Sequence, residues 1–349
     1  MSASLKDLMS TMGTGPRSSD PLTYQQAKEA MSQILEKEVQ PATFGGFMVA
    51  ERWKGQETEE LAGFLDEIRS RNKITFNPER TDYLDIAGRF DGKNKTPNTD
   101  LASSILTAAA GVSVFTHSGQ DVPTQQATTL IDVIEALGWV VHPSQNQVEN
   151  ALDELGFAYA HQDDYAPQLA ALRGQRADLG VRCFLNTLES MVNPANAPIH
   201  VGSFYHLPFA KRVCDTFELL KTDSPERIVM IQGIEGQTEL RPGVSVLGLQ
   251  DETGFRDQEI HAKDFDLDFQ REELGPDASA RNSATLLRDF FNRSAPAAYR
   301  KSVLLNTTVK LWASGQFKNP EQAQEQATQT LKSGKAQKHF ESLEERFST

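Results

Sequence analysis

Apolar residues in the N-terminal part of the chain recur at the spacing of helices. Between residues 58 and 70 they follow the i, i+3, i+4, i+7 pattern of one buried helix face, and Thr58 stands where a helix cap is expected. Thr23 and Gln26 have the spacing of a capping box and predict a helix that continues to about residue 35. The pattern therefore predicts a small helical lobe.

The pattern changes at residue 83. Residues Tyr83–Ile86 are typical of a short buried strand. A polar loop that contains glycine follows, then a helix of small residues that ends near Gly111, then a second strand at residues 112–115. A strand, loop, helix and strand in this order predict a βαβ unit, and hence a parallel sheet.

The rest of the chain continues this alternation. The pattern predicts strands at residues 199–204 and 228–232, with a helix between them, and helices over residues 167–190 and the last 70 residues. Residues 247–285 are acidic and are predicted to form loops. The predicted fold class is α/β, with a small all-helical N-terminal lobe and a larger domain around a mostly parallel central sheet.

Composition narrows the classes of function. The 349 residues include 48 acidic and 35 basic ones, with a formal net charge of −13, which argues against coating nucleic acid by bulk charge but leaves a local basic cleft open. Two cysteines, Cys183 and Cys214, exclude a disulfide framework and a cysteine-built zinc site. No apolar run of about 18–20 residues indicates a membrane span, and no apolar block indicates a signal peptide. We therefore expect a cytoplasmic protein without membrane contact.

The loop after the first predicted strand carries the clearest candidate chemistry. It runs from Gly88 to Lys95 and holds Arg89 and Lys93 in addition to Lys95, against the single acidic residue Asp91. Proteins of the α/β class bind phosphates between a strand and the following helix, because backbone N–H groups converge there. The loop matches neither GxGxxG nor GxxxxGK[ST], so phosphate binding and an ordinary polar surface loop both remain open on position alone.

Four segments of the chain resemble the anthranilate phosphoribosyltransferase family, which shares its fold with pyrimidine nucleoside phosphorylases. They are FGGFMVAERWKGQETEELAGFLDEIR, DIAGRFDGKNKTPNTDLASSILTAAAGV, LRGQRADLGVRCFLNTLESMVNPA and the C-terminal helices that begin SVLLNTTVKLWASGQF. The resemblance implies a helical lobe of residues 1–80 with helices inserted at about 167–197. It implies an α/β domain of residues 81–166 and 198–349, and a homodimer formed through the helical lobes.

The same resemblance implies a phosphoribosyltransferase site for phosphoribosyl pyrophosphate and Mg²⁺. The matching positions that would bind the donor and its phosphates are Gly88, Arg89, Asp91, Lys93, Lys95, Asn98 and His117. Arg176 matches the arginine that contacts the acceptor, anthranilate. Asp100 and Glu239 match positions that hold the metal ion.

Four motifs of this site depart from the family pattern. The diphosphate loop Gly-Thr-Gly-Gly-Asp is replaced by GRFD, which is one residue shorter and lacks two glycines. The motif Lys-His-Gly-Asn-Arg is replaced by THSGQ, which keeps His117 but loses both cations. Asp100 stands where the family has a metal-binding serine, and Thr238 replaces the first carboxylate of an Asp-Glu pair. The resemblance with these departures implies a weakened Mg²⁺ site.

These departures predict that the tryptophan-pathway activity of the family is lost or altered, because transfer from a diphosphate depends on neutralising and positioning that leaving group. One function that follows is an altered transfer in a cleft that still binds a phosphorylated sugar or nucleotide. The alternative is non-catalytic binding of a nucleic acid or an effector through a basic cleft. The cations of that cleft would be Arg89, Lys93, Lys95, Arg173, Arg176 and Arg182. A third reading is an interaction protein that uses only the dimer surface.

Overall fold

The N-terminal lobe is helical, as the apolar spacing predicts, and four helices lie within its described residues. The structure, a computed structural model, describes residues 3–12, 15, 19–36, 39–88, 90–220 and 223–349. The four helices are α1 (Leu5–Met12), α2 (Tyr24–Leu35), α3 (Pro41–Lys54) and α4 (Thr58–Ser70). The capping box at α2 is confirmed, since Thr23 and Gln26 each accept the other's backbone N–H. The cap expected at Thr58 is wrong, because α4 begins at that residue and Glu57 takes the cap position.

The larger domain is built on a seven-stranded sheet. Its strands are β1 (Tyr83–Ile86), β2 (Ser113–Ser118), β3 (Phe157–His161), β4 (Ile199–Ser203), β5 (Arg227–Ile231), β6 (Val244–Asp251) and β7 (Gly254–His261). The spatial order is β3-β2-β1-β4-β5-β6-β7. The first five strands are parallel, and β6 and β7 add an antiparallel hairpin at one edge. The predicted α/β class with a mostly parallel sheet is confirmed.

In the described part of the chain, twelve further α-helices surround the sheet or join the lobe. They are α5 (Asp100–Ala109), α6 (Leu130–Ala136), α7 (Gln145–Leu155), α8 (Gln162–Tyr165), α9 (Pro167–Ala170), α10 (Arg173–Leu179), α11 (Leu185–Met191), α12 (Leu207–Glu218), α13 (Ala280–Phe291), α14 (Ala297–Ala313), α15 (Pro320–Lys332) and α16 (Lys335–Phe347). Helix α10 packs on α3 and α11 packs on α4, although both follow β3 in the chain. Among the described helices, none is both long enough and apolar enough to cross a bilayer.

The prediction of loops at residues 247–285 is wrong at its N-terminal end. Residues Val244–Asp251 and Gly254–His261 form a hairpin with eight paired positions. The second strand is an edge strand whose side chains are mostly partly or fully exposed, so its polar residues do not alternate with apolar ones. An acidic, solvent-facing strand therefore has the composition of a loop.

Candidate functional site

The predicted phosphate loop lies where the strand order of the sheet reverses. Strand β1 is flanked by β2 on one side and β4 on the other, so the chain leaves β1 at a topological switch point. Ligands of open α/β sheets bind at such a crevice, outside the carboxyl ends of the strands. Gly88 follows β1 there, and a Cβ atom at this position would meet Gln237 Oε1 at 2.5 Å. Arg89 lies outside the described residues.

Asp100, the first residue of α5, is paired with a lysine from the C-terminal helices. Lys310 of α14 donates from Nζ to Asp100 Oδ1 at 2.8 Å, to Ser103 Oγ at 2.7 Å and to Ser104 Oγ at 2.9 Å. Thr238 Oγ1 donates to the same Oδ1 atom at 2.7 Å. Lys310 is fully buried, and this burial lowers its pKa even though Asp100 acts in the opposite direction. Asp100 therefore faces an ammonium group at the position that the resemblance assigns to a metal ion.

Glu239 occupies the N terminus of the same helix. Its Oε1 atom accepts the backbone N–H groups of Thr99 at 2.6 Å and Asp100 at 3.0 Å, and its Oε2 atom forms an ion pair with Lys93. Both members of that ion pair are buried. The N–H groups at a helix N terminus are a ready site for an anion. In this chain, a carboxylate of the protein itself fills that site.

Asn98 completes the N terminus of α5. Its Oδ1 atom accepts the backbone N–H of Leu101 at 3.0 Å, and its own backbone N–H donates to Ser283 Oγ at 3.0 Å. The Asn98 side chain thus satisfies a backbone N–H of the first turn of α5 from the residue before the N-cap, Thr99.

In the predicted phosphate loop, too, hydrogen-bond donors of the loop are occupied by a carboxylate of the protein. Asp91 is buried and forms an ion pair with Arg182, which links the loop to the segment between α10 and α11. The backbone N–H groups of Asn94 and Lys95 both donate to Glu235 Oε2, at 3.1 and 3.2 Å, and Thr96 Oγ1 donates to the other oxygen at 3.0 Å. The Lys95 side chain is exposed to solvent.

Arg176, the predicted acceptor contact, is held by a buried glutamate. Its guanidinium group binds Glu189 through two parallel hydrogen bonds of 2.7 and 2.9 Å. Gln162 Nε2 donates to the same carboxylate at 3.0 Å. Burial opposes the charge on Arg176, but Glu189 raises its pKa above the ordinary value. This bidentate pair lies within the protein interior, since both side chains are at most 1% exposed.

His117 of β2 belongs to a buried network around Asp85. Its Nδ1 atom lies 2.8 Å from the Tyr165 hydroxyl, and its Nε2 atom lies 3.1 Å from Asp85 Oδ1 without hydrogen-bond alignment. His200 Nδ1 is bonded to the other Asp85 oxygen at 2.7 Å. Burial would raise the pKa of Asp85, but the two histidines lower it to about 2. Both nitrogens of His117 therefore face protein groups.

The cleft contains two cavities of very different size. The cavity at the predicted donor site is lined by Gly88, Lys93, Asn98, Asp100 and His117 among others and has a volume of about 20 Å³. This is room for about one water molecule. The second cavity, of about 270 Å³, lies between the end of β4, α11 and α12. Its lining includes Gly88, Arg182, Asn186, His200, Tyr205 and Phe209.

Several residues of the site were not identified from the sequence, among them the charged residues Glu189, Glu235 and Lys310. Glu189 and Glu235 carry no local motif, and their partners lie 13 and about 140 positions away. Lys310 left a weak signal, because a single lysine stands between Val309 and Leu311 in an otherwise apolar helix segment. A charged residue at such a position is seldom buried unless it is paired.

Comparison with known proteins defines the class to which this fold and site belong. Two protein-family models match the chain. The family model described as "Glycosyl transferase family, a/b domain" matches residues 80–337. The family model described as "Glycosyl transferase family, helical bundle domain" matches residues 6–71. The chain therefore belongs to this glycosyl transferase family, and the curated proteins that it is similar to include several named anthranilate phosphoribosyltransferase.

Individual relatives are distant in sequence but match most of the chain. An anthranilate phosphoribosyltransferase of Dictyoglomus thermophilum is 26% identical over 331 residues, which cover 92% of this chain and 94% of the relative. An uncharacterized protein of Aquifex aeolicus is 27% identical over 86% of this chain and 90% of the relative.

Solved structures show the same fold. The crystal structure of anthranilate phosphoribosyltransferase from Thermus thermophilus matches with a TM-score of 0.81 at 24% identity, over 98% of both chains. The enzyme from Saccharomyces cerevisiae in complex with PRPP and Mg matches with a TM-score of 0.79 at 17% identity, over 97% of this chain and 96% of that one.

Proposed function

We propose that this protein is a family member in which Mg²⁺-dependent phosphoribosyl transfer to anthranilate is lost. The observation that carries the proposal is the Glu239 carboxylate on the N terminus of α5, with Lys93 and Lys310 neutralising Glu239 and Asp100. A metal ion and a diphosphate do not fit these residues. The metal would have to displace two buried ammonium groups, and the diphosphate would have to enter a cavity of about 20 Å³.

The exchange of side chains between two positions supports this proposal. The family has a hydroxyl on the helix and a carboxylate on the loop that contains residue 238, according to the resemblance. Here the carboxylate is Asp100 and the hydroxyl is Thr238, and the two are hydrogen-bonded at 2.7 Å. In this chain the negative charge stands on the helix, and Asp100 Oδ1 lies 2.8 Å from Lys310 Nζ.

We further propose that the cavity of about 270 Å³ binds a small phosphorylated ligand of the sugar phosphate or nucleotide class. The volume is close to the lower end for small-molecule sites. Aromatic and apolar side chains line it together with polar ones. Arg182 lies at its edge with a side chain that is 33% exposed, and its ion pair with Asp91 is made through Nη1, so the other N–H groups of the guanidinium can donate to a single bound phosphate. Such binding does not require the protein to transfer a phosphoribosyl group to anthranilate.

The basic-cleft alternative receives no support from the geometry. Lys93, Arg173, Arg176 and Arg182 each form an ion pair with a carboxylate of the chain. A cation that is already neutralised releases no counterions from a nucleic acid, so it contributes little to binding. Among the described cations of that set, Lys95 alone is exposed without an ion pair recorded in the described part of the chain.

We propose that the protein forms the homodimer implied by the resemblance, with the helical lobe as the interface. Trp53 is 74% exposed, and Val49 and Val181 are 45% and 41% exposed. Trp53 and Val49 line an open apolar hollow of about 860 Å³ together with Met9 and Leu179. A second copy of the chain would cover these side chains. The cytoplasmic location expected from the sequence stays a prediction.

Calorimetric titration with phosphoribosyl pyrophosphate, with and without Mg²⁺, tests the loss of the donor site. We expect no metal-dependent binding at millimolar donor and no conversion of anthranilate. Micromolar, Mg²⁺-dependent binding, or turnover at the ordinary enzyme rate of about 1–10³ s⁻¹, would overturn the proposal.

A separate titration tests the larger cavity. Ribose 5-phosphate and adenosine monophosphate are the probes, and Arg182→Met and Lys95→Met are the matched variants. Binding that is lost in R182M but kept in K95M supports the cavity as the site. If neither probe binds the wild-type protein, or if R182M binds as well as wild type, this part of the proposal fails.

A further inference from the structure

Three side chains that commonly bind metals meet at the outer edge of the sheet, away from the carboxylate–lysine pairs described above. His142 lies in the connection between α6 and α7, His161 ends β3, and Asp164 belongs to α8. One potential ligand atom from each lies within 4.8 Å of the others. Within the part of the chain that the structure describes, this is the one group of three or more histidine, cysteine or acidic side chains with such spacing.

One of the three side chains is buried, and the other two are accessible to solvent. The His161 side chain is 2% exposed, whereas those of His142 and Asp164 are 55% and 30% exposed. His142 Nδ1 lies 3.2 and 3.1 Å from the two Asp164 oxygens. The imidazole rings of the two histidines have their centroids 4.4 Å apart. An ion can therefore reach the group from solvent without any movement of the sheet.

A second carboxylate is placed behind His161. Asp163 Oδ1 lies 3.3 Å from His161 Nδ1, and Arg173 holds the Asp163 carboxylate with hydrogen bonds of 2.9 and 2.5 Å. Metal-binding histidines commonly donate their other ring N–H to a carboxylate held in this way.

Two groups compete for His161 Nδ1. The backbone N–H of Asp163 donates to it at 3.1 Å in one tautomer, and the Asp163 carboxylate accepts from it in the other. A cation on Nε2 selects the second tautomer, because the proton must then reside on Nδ1. The Asp163 carboxylate therefore favours His161 with its proton on Nδ1, which is the form in which Nε2 is available to a cation.

We propose that His142, His161 and Asp164 bind one divalent first-row transition metal ion of the zinc class. Two imidazoles and one carboxylate suit Zn²⁺, Ni²⁺ or Co²⁺, whereas Mg²⁺ and Ca²⁺ prefer oxygen ligands alone. Zinc–ligand distances of about 2.0–2.1 Å place neighbouring ligands of a tetrahedral ion about 3.3 Å apart. The 3.1 Å separation of His142 from Asp164 is close to this value. Water would complete the coordination on the solvent side.

Metal titration of the full-length, tag-free protein after dialysis against EDTA tests the proposal. We expect calorimetry with ZnCl₂ to give one ion per chain, and CoCl₂ to give the visible absorption of a nitrogen- and oxygen-bound ion. His142→Ala and Asp164→Asn should weaken zinc binding at least tenfold. Asp163→Asn should weaken it about 10–100-fold, as loss of an outer-shell carboxylate does elsewhere.

A matched control comes from the other side of the sheet. His261 lies 3.1 Å from Glu259 on β7, so it forms an exposed histidine–carboxylate pair without a third ligand. His261→Ala should bind zinc as wild type does. Zinc should also raise the Tm of the wild type and of H261A but not of H142A, since a ligand stabilises only the state that binds it.

Two results would overturn the proposal. One is the absence of binding at about 100 μM ZnCl₂, because a specific zinc site should have a dissociation constant below that concentration. The other is equal binding by wild type, H142A and D164N. Both variants change solvent-accessible side chains, so the test does not depend on whether a variant at the buried His161 folds.

Discussion

Replacing Lys310 by methionine should strongly destabilise the protein. Methionine is also long and unbranched, but it removes the ammonium group that donates to Asp100 and to the hydroxyls of Ser103 and Ser104. Thr238 Oγ1 then remains as the side-chain donor to Asp100 Oδ1. Loss of one partner of a buried ion pair costs about 3–5 kcal/mol, because the other charge is left uncompensated. We therefore expect Lys310→Met to lower the free energy of unfolding by about that amount.

The double variant Lys310→Met with Asp100→Asn should recover much of this loss. Asparagine can still accept the hydrogen bond from Thr238 but carries no charge, so no buried ion is left without a partner. Replacement of a whole buried ion pair by neutral groups is often close to neutral in stability. The cycle of the two single variants and the double variant should therefore give a coupling energy of about 2–3 kcal/mol, at the upper end for residues in contact.

Urea denaturation at pH 7, followed by both circular dichroism and tryptophan fluorescence, measures these differences. Coincident transitions by the two probes are required before a free energy is taken, since the chain has two lobes. Lys211→Met is the matched control, because Lys211 pairs with Asp215 at 2.7 Å on the surface of α12. Exposed pairs contribute about 0–1 kcal/mol. If K310M costs no more than K211M, or if the double variant is no more stable than K310M, the reasoning is refuted.

Two other predictions concern the helical lobe. Glu51 is buried near Glu60, and burial together with that neighbour raises its pKa to about 8. The folded state then keeps a proton that the unfolded chain has released, so stability should fall by at most about 1.4 kcal/mol per unit as pH rises from about 4.5 to 8. Glu51→Gln should flatten this part of the stability–pH curve, and an unchanged slope would contradict the assignment. Trp53→Asp should convert a dimer to a monomer in sedimentation velocity, whereas the exposed control Val244→Asp should not; a monomeric wild type would exclude the proposed dimer.

The central part of the fold was predictable because it depends on local patterns. Strand β1 was predicted with its observed ends, and the helix that follows its loop begins and ends close to the expected positions. A buried parallel strand is a short apolar run between loops, and α5 is a run of small residues that ends at a glycine. The place of the phosphate loop at the switch point follows from these two elements.

Elements at the edge of the domain were harder to predict. Strand β3 and helix α7 were not predicted, and β7 has the composition of a loop because it is an exposed edge strand. Edge strands commonly carry charged residues, which discourage pairing with other chains. Their polarity therefore hides the alternation on which prediction depends.

The pairing within the site could not be predicted from spacing. Asp100 and Lys310 are 210 positions apart, and Lys93 and Glu239 are 146 apart. Each residue alone fits a ligand site as well as an internal ion pair. What distinguishes the two is the packing of α14 against α5, which brings a lysine to the carboxylate and is set by the tertiary fold.

The ion pair between Asp100 and Lys310 also restricts how this protein can evolve. A mutation of either residue alone leaves a buried charge without a partner, while a change of both leaves a neutral pair. A lineage with this pair can reach a vacant metal position only through an intermediate that is less stable by several kcal/mol, on the order of the 3–5 kcal/mol given above. Since natural domains have only about 5–15 kcal/mol of stability, selection would remove most such intermediates. The pair of buried charges therefore makes a return to a metal-binding site improbable by single mutations.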